Sequence, residues 1–214
     1  MKIRYLGHSC FFLADGAGTS IVTDPYSGIG FPIPKVLASG VTVSHQHFDH
    51  NNISAVGGNP VVFDREGSFR LGNVNFSAVT SFHDEVKGLK RGKNLIFKLN
   101  MDGLNICHLG DLGEDCSQTL VEKISPVDIL LVPVGGNYTI DAVRAKEYVD
   151  CLNPKIVIPM HYKVPGLKVD VAPVDGFLSL FSSACVVRTG SCEVELSRGE
   201  LSHDGTKIIV LERK

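Results

Sequence analysis

Three histidines and an aspartate fall within residues 45–50, directly after a short apolar segment that is typical of a β-strand. Neutral imidazole and carboxylate are ligands that zinc and similar divalent metals accept, and a loop after a strand can direct alternate side chains at one point. His45 and His47 can then reach one ion, while Asp49 and His50 turn toward a second. A polar surface loop with incidental histidines does not account for this density. The segment therefore predicts a metal site at a strand end.

Short strand candidates, separated by turn residues, occupy the first half of the chain. Segments 3–6, 10–13 and 20–23 are enriched in β-branched or aromatic residues, and Asp15-Gly16 supplies a turn. They predict an antiparallel meander. The same criteria indicate further strands at residues 41–44, 61–63, 75–80, 95–99 and 104–109.

The second half of the chain adds helices to the strands. Residues 117–124 and 139–152 place apolar side chains at helical spacing, with Thr139 as the predicted N-cap of the second helix. A further short helix is predicted at residues 175–182. The continuous apolar runs 129–132 and 156–158 are typical of strands that are covered on both faces.

The last strand candidates, residues 193–196 and 207–211, predict a closing hairpin around His203-Asp204-Gly205. Each half of the chain is rich in strands and finishes with helix. This order predicts two sheets between helical layers, an α/β sandwich. We expect residues 1–214 to form a single domain.

Composition excludes several classes of function. The chain has 21 Lys and Arg against 23 Asp and Glu, a net charge of −2, and no basic run, so nucleic-acid binding is not expected. Its apolar runs are far shorter than the roughly 20 residues of a membrane span. No signal segment is indicated, and the six cysteines lack C-x-x-C spacing, so we expect reduced thiols, a cytoplasmic location and no membrane partner. A homo-oligomer stays open.

Three later motifs complete the metal-site pattern. His83, Asp111 and His161 each follow a strand candidate, in the motifs Ser81-Phe82-His83, Gly110-Asp111 and Pro159-Met160-His161. With the H-x-H-x-D-H loop at 45–50, their order and placement resemble those of metallo-β-lactamase-fold hydrolases. The resemblance implies an αββα sandwich, in which helices flank two mixed β-sheets.

The resemblance also implies a centre of two divalent ions and a role for each ligand. The first ion would be held by His45, His47 and His83, the second by Asp49, His50 and His161, and Asp111 would bridge the two. Two ions that share a water lower its pKa, so the nucleophile that the resemblance implies is a hydroxide bridging the two ions. Asp111 and Asp49 are the candidate catalytic residues, because Asp49 could orient the hydroxide or pass a proton to the leaving group.

Further motifs narrow the resemblance to the UlaG-like and UPF0173 metal-dependent hydrolases. They are Gly7-His8-Ser9-Cys10-Phe11, Thr23-Asp24-Pro25, Gly110-Asp111-Leu112-Gly113 and Pro133-Val134-Gly135-Gly136. Flavo-diiron proteins usually carry Glu at the position of His47, and several lactamases carry Cys at that of Asp111. The chain therefore resembles the two-metal hydrolases more than the redox proteins or the true lactamases of this fold. The implied activity is hydrolysis of a small ester, lactone or phosphoester.

Other polar residues near these motifs have candidate roles. Asp24 is expected to brace the metal loop through hydrogen bonds. For His8 two readings stay open, a role beside the metals or a hydrogen-bonded structural histidine. Tyr138 lies in a loop after a strand, where it is expected to face the opening of the metal site, and it is a candidate to stabilise an oxyanion. Lys163 could neutralise a substrate phosphate or carboxylate, or be a solvated loop lysine.

Three histidine and aspartate positions are left outside the metal set. Strand alternation places His108 on the face opposite Asp111, which predicts a buried, hydrogen-bonded histidine. Asp84 could brace His83 or face solvent. His203, in the terminal turn, is expected to be exposed.

Three hypotheses about function follow. The first is a zinc hydrolase with a two-metal centre. The second keeps the ligands but binds Mn²⁺ or Fe²⁺, with phosphodiesterase or redox use, because His and carboxylate suit these ions too. The third is a non-catalytic, metal-stabilised binding module. Closed structural zinc sites are usually four-coordinate and rich in Cys, whereas the implied set has seven ligands and no Cys, which favours an enzyme.

Overall fold

The structure, a computed structural model, describes residues 1–201 and 205–213. Strands are the main regular secondary structure in this part of the chain. In chain order they are β1 (Lys2–Gly7), β2 (Cys10–Ala14), β3 (Ser20–Thr23), β4 (Val36–Leu37), β5 (Gly40–Thr42), β6 (Val56–Gly57), β7 (Val61–Phe63), β8 (Gly67–Leu71), β9 (Val74–Phe82), β10 (Lys93–Met101), β11 (Leu104–His108), β12 (Ile129–Pro133), β13 (Ile156–Met160), β14 (Val186–Arg188), β15 (Glu193–Glu195) and β16 (Lys207–Val210).

The described residues also form short helices. The α-helices are α1 (Gln118–Ile124), α2 (Ala142–Leu152) and α3 (Asp175–Leu178), and 3₁₀ turns lie at Ile53–Ala55, Ser183–Cys185 and Arg198–Glu200. No helix in this part of the chain has the length and apolar character needed to cross a membrane.

The strands form two large mixed sheets. The six-stranded sheet has the order β15-β1-β2-β3-β5-β7, antiparallel up to β3 and parallel from there. The eight-stranded sheet has the order β14-β16-β13-β12-β11-β10-β9-β8, parallel from β14 to β11 and antiparallel beyond. The predicted α/β sandwich fold class is confirmed.

Side chains alternate along each strand between an inner face, which packs on the other sheet, and an outer face. Ile3 of β1 belongs to one buried cluster with Phe97 of β10 and Leu131 of β12, so the inner faces pack on each other. Leu130 of β12 belongs instead to a second cluster with Tyr148 of α2. β12 is therefore buried on both faces, which explains its continuous apolar run.

The outer face of the six-stranded sheet is covered largely by loops. Leu6 of β1 is in a third buried cluster with Ile29, from the segment after β3, and Leu167, from the segment after β13. The two segments are joined where the Lys168 amide donates to the Ile29 carbonyl at 2.8 Å. Two loops that are distant in sequence thus lie side by side, next to the strand ends described below.

The predicted terminal hairpin is wrong. β15 pairs antiparallel with β1 in the six-stranded sheet, whereas β16 pairs parallel with β13 and β14 in the eight-stranded sheet. Val194 of β15 and Ile209 of β16 both pack on the core between the sheets. Val194 lies opposite Ile3 of β1 in one sheet, and Ile209 lies opposite Val187 of β14 in the other, so the two strands do not pair with each other. His203, predicted to be exposed, lies outside the described residues.

The predicted start of the second long helix is also wrong. Its N-cap is Asp141, whose carboxylate accepts the amide of Arg144 at 3.0 Å. Thr139 instead directs its hydroxyl to the Ile140 carbonyl, and the buried Ile140 donates its amide to Leu112. This tertiary bond keeps residues 139–141 outside the helix, so helical spacing in the sequence extended too far toward the N-terminus.

Candidate metal centre

Four strand ends from both sheets meet at one place. His45 follows β5 of the six-stranded sheet, and three further residues follow strands of the eight-stranded sheet. These are His83 after β9, Asp111 after β11 and His161 after β13. Loops that follow strand ends carry functional groups on a rigid scaffold.

The Asp111 carboxylate lies at the middle of this region. Its Oδ2 is 3.2 Å from Nε2 of His50 and 3.2 Å from Nε2 of His161. The same oxygen is 3.4 Å from Nε2 of His83 and 3.9 Å from that of His45. Four imidazole nitrogens from three loops therefore converge on one buried oxygen.

The surrounding donors divide into two groups. The atoms within each group lie within 4.8 Å of one another. One group consists of His45, His47 and His83, and the other of His8, Asp49, His50 and His161. A third set, His45, His50 and Asp111, meets the same distance criterion and links the two groups. The structure thus brings together all seven residues of the implied ligand set, with His8 added to the second group.

The donors in this region fit divalent cations. Nε2 of His45, Nε2 of His50 and Oδ1 of Asp111 are buried without a hydrogen-bond partner. Buried polar atoms are normally paired, so unpaired imidazole nitrogens and an unpaired carboxylate oxygen in one cluster are suited to hold an ion. Imidazole and carboxylate are the chemistry that zinc, manganese and iron accept.

Burial lowers the pKa of some of the imidazoles, whereas at His50 the carboxylates of Asp111 and Asp24 outweigh burial and raise the pKa well above its usual range. Burial lowers the pKa of His45 to about 3, helped by the neighbouring His50, and that of His8 to about 4, helped by His161. Burial alone would raise the pKa of Asp111, but the adjacent His161 and His50 hold it well below its usual range. Near neutral pH, His45 and His8 are therefore neutral donors and Asp111 is a carboxylate, the forms that bind metal.

Asp24 fixes the orientation of two histidines of the loop. Its carboxylate accepts the amide of Ser44 at 2.7 Å, the Ser44 hydroxyl at 2.6 Å and Nδ1 of His50 at 2.9 Å. The Ser44 hydroxyl oxygen also lies 2.9 Å from Nδ1 of His45. With its Nδ1 bonded to Asp24, His50 presents Nε2 to the centre. The hydrogen-bonding role predicted for Asp24 agrees with these contacts.

His8 is packed inside the cluster. Its Nε2 is 3.2 Å from Oδ2 of Asp49, its ring centroid is 4.1 Å from that of His161, and its carbonyl accepts the His161 amide at 3.1 Å. His8 and His161 both have positive φ angles, 57° and 52°. Backbone conformations of this strained kind are found most often at functional sites. Of the two readings left open, the contacts place His8 beside the candidate ligands.

Asn94 was not identified from the sequence although it holds the loop that carries Asp111. Its amide oxygen accepts the Asp111 amide at 2.9 Å, and its Nδ2 donates to the Ser81 hydroxyl and the Leu109 carbonyl, each at 2.8 Å. The residue is fully buried. The only signal in the sequence is an amide at the edge of an apolar strand.

His108 is buried with both ring nitrogens bonded. Nε2 lies 2.8 Å from the Ser9 carbonyl, and Nδ1 accepts the Gly110 amide at 3.1 Å. The prediction of a satisfied structural histidine is confirmed.

A cavity of about 700 Å³ opens over the candidate ligands. This volume is in the range of small-molecule sites. Beyond the ligands, its lining includes Phe48, Arg91, Tyr138 and Lys168. Tyr138 therefore faces the cavity as expected. Lys163 is not among the lining residues, because its Nζ donates to the Val169 carbonyl at 2.9 Å.

Comparison with known proteins gives the family of this chain. A family model described as the β-lactamase superfamily domain matches residues 2–161. A UPF0173 metal-dependent hydrolase from Carboxydothermus hydrogenoformans is 32% identical over 208 residues, covering 80% of this chain and 89% of the relative. The chain belongs to the UPF0173 metal-dependent hydrolases of the metallo-β-lactamase superfamily.

Two further relatives cover nearly the whole length of this family member. A UPF0173 metal-dependent hydrolase from Pelotomaculum thermopropionicum is 32% identical over 235 residues, covering 94% of this chain and 98% of the relative. A crystal structure from Thermotoga maritima, described as a candidate Zn-dependent hydrolase of the metallo-β-lactamase superfamily, is 43% identical with a TM-score of 0.83. That comparison covers 100% of this chain and 99% of the other.

Two glycines from the sequence motifs of the family resemblance, Gly113 and Gly135, lie against the backbone of candidate ligands. A Cβ on Gly113 would overlap the backbone of His83, and a Cβ on Gly135 would overlap the carbonyl oxygen of His161. The motifs Gly110-Asp111-Leu112-Gly113 and Pro133-Val134-Gly135-Gly136 therefore let neighbouring loops approach the ligand loops closely.

Gly135→Ala is expected to lower zinc affinity about tenfold or more, because the added methyl must displace the His161 backbone. Competition with a chelating dye measures this affinity. Gly176→Ala is the matched control, since nothing lies within 4 Å of its Cβ position, and it should behave as the wild type. Equal zinc affinity in the two variants would show that His161 placement does not depend on this close approach.

Proposed function

We propose that this family member is a hydrolase with a two-metal centre that cleaves a small ester, lactone or phosphoester. The proposed ligands of the first ion are His45, His47 and His83, those of the second are Asp49, His50 and His161, and Asp111 is shared by both. We propose zinc as the native metal, with Mn²⁺ or Fe²⁺ as the alternative.

One observation carries this proposal. The Asp111 Oδ2 lies 3.2 to 3.9 Å from imidazole nitrogens of both donor groups, so a single carboxylate can serve an ion on either side. A single closed structural site needs only four ligands and no opening. Here the donors exceed that number, and a cavity large enough for a small molecule opens over them.

The chemistry divides between the ions and the side chains around them. Two divalent ions in this centre would lower the pKa of a water that they share and polarise the substrate oxygen under attack. Asp49 lines the cavity, and although burial raises the pKa of its carboxyl, the contact from His8 holds that pKa below the usual range. Asp49 is therefore ionised near neutral pH and can take up the nucleophile's proton and release it to the leaving group.

The remaining cavity residues bind and orient rather than react. The exposed Tyr138 side chain lines the cavity, where its hydroxyl can donate to an oxyanion of the substrate. His8 keeps Asp49 in place through the 3.2 Å contact to Oδ2. The zinc assignment is supported by the Thermotoga maritima relative, which is described as a candidate Zn-dependent hydrolase.

The test combines metal analysis with a substrate panel. Protein made without added metal is analysed for elements, stripped with a chelator and reloaded with Zn²⁺, Mn²⁺ or Fe²⁺. We expect metal-dependent hydrolysis of at least one lactone, aryl ester or bis-aryl phosphodiester, and loss of this activity on stripping while circular dichroism stays unchanged. Fewer than one bound metal per chain and no hydrolysis with any ion would contradict the proposal. Unfolding on stripping without hydrolysis would favour the non-catalytic module.

A further inference from the structure

The loop that follows His83 is fixed by its own first residue. The buried Asp84 carboxylate accepts four backbone amides of this loop, at distances of 2.7 to 3.0 Å. The donors are Val86, Gly88, Lys90 and Arg91. Asp84, left open from the sequence, therefore neither faces solvent nor contacts a ligand ring. It shapes the loop and fixes the backbone at Arg91.

The Arg91 side chain is held over the cavity by neutral groups. Its Nη2 donates to the Asn137 carbonyl at 3.1 Å, and its guanidinium carbon is 5.5 Å from the Tyr138 ring centroid. Within residues 1–201 and 205–213, no carboxylate pairs with this guanidinium, whereas Arg144 and Arg188 both pair with aspartates. Four of the five guanidinium N–H donors remain available after the bond to Asn137.

The cavity around Arg91 combines positive charge with apolar surface. Lys168 is a second cation in the lining, and Asp170 is the one acidic lining residue besides the candidate ligands Asp49 and Asp111. Phe48, 59% exposed, lines the same cavity. An arginine that is positioned by neutral contacts and lacks an acidic partner is suited to bind an oxyanion, since its planar fork matches carboxylate and phosphate.

We propose that the cavity takes a small organic substrate with an anionic group, a carboxylate or a phosphate, which Arg91 binds while the scissile bond lies at the metal centre. This inference rests on the proposed two-metal hydrolase. The apolar middle of the substrate packs on Phe48. Arg91 is then the residue that selects anionic over neutral substrates.

The test uses hydroxamates, whose head binds the metals and whose tail can be varied. Dissociation constants for the zinc-loaded protein are measured with the monohydroxamates of succinic, glutaric and adipic acid, and with the neutral alkyl hydroxamates of equal length. At one tail length the carboxylate should tighten binding about ten- to a hundredfold, since a charge-assisted hydrogen bond has this strength. The same series with a phosphonate tail decides which oxyanion Arg91 prefers.

Arg91→Gln should reduce this preference to about twofold or less while binding of the neutral hydroxamates stays unchanged. Arg91→Lys, which retains the charge but not the fork, should keep part of it. The control is Arg70→Gln, which removes an exposed arginine outside this cavity that also donates to a backbone carbonyl, that of Gly72, and it should keep the full preference. A preference that is absent from the wild type, or that survives in Arg91→Gln, would overturn the inference but leave the metal centre standing. If no hydroxamate bound at all, the proposed function would fail with it.

Discussion

Asp111→Asn is expected to lower kcat/KM for the best substrate by about a thousandfold and to reduce the bound metal below two ions per chain. The shared carboxylate oxygen lies within 3.4 Å of three imidazole nitrogens, and an amide at this position has neither the charge nor two equivalent acceptor oxygens. Metal-based charge stabilisation is worth several kcal/mol, and each 1.36 kcal/mol is about a factor of ten in rate. Elemental analysis and steady-state kinetics measure the two effects.

The fold should survive this substitution, because the backbone amide of residue 111 is held by the Asn94 side chain and not by its own carboxylate. Asp115→Asn is the matched control. Asp115 is an exposed aspartate of the same loop that pairs with Arg144, and its loss should leave metal content and rate unchanged. An Asp111→Asn protein with two ions and a rate within about threefold of the wild type would refute the shared role of Asp111.

Asp24→Asn is expected to lower zinc affinity by about ten- to a hundredfold, the usual effect of losing a group that orients a metal ligand. The Asp24 carboxylate accepts three hydrogen bonds, two from Ser44 and one from His50, and an asparagine has a single oxygen to offer them. The His50 ring then loses the contact that fixes its tautomer. Competition with a zinc-binding dye measures the affinity.

The control for Asp24 is Asp15→Asn. Asp15 is also a buried carboxylate, but it accepts only the backbone amides of Ala17 and Thr19 in a turn that lies outside the metal centre. Both amides bond to Oδ1 of Asp15, an oxygen that asparagine retains, so Asp15→Asn should leave the melting temperature and the zinc affinity close to those of the wild type. Only Asp24→Asn should lower zinc affinity. If Asp24→Asn destabilised the fold and left zinc affinity intact, Asp24 would be a structural residue alone.

The fold could be predicted from the sequence where neighbouring residues decide the structure. Segments 10–13, 20–23 and 129–132 form strands close to the predicted bounds, because apolar and β-branched side chains at these positions fill a two-sided core. The predicted terminal hairpin was wrong because the two strands pair with other partners. β15 pairs with β1, at the opposite end of the sequence, and β16 pairs with β13 and β14 in the other sheet. Local pattern contains no information on such partners.

The candidate site could be predicted where it consists of metal-binding side chains. Histidine and aspartate in dense motifs are rare and chemically specific, so His45 to His50, His83, Asp111 and His161 stand out in the printed sequence. Supporting residues could not be predicted in this way. Ser44, Asn94 and Arg91 are ordinary residue types whose roles depend on contacts made across loops.

The most direct test of the two-metal hydrolase is a zinc titration of the metal-free protein, followed by native mass spectrometry and by the hydrolysis rate on the same samples. Two ions per chain are predicted, since the Asp111 carboxylate lies between two donor groups. The rate should reach its maximum only as the second ion binds. Saturation at a single ion, or a rate that does not depend on zinc, would contradict the account.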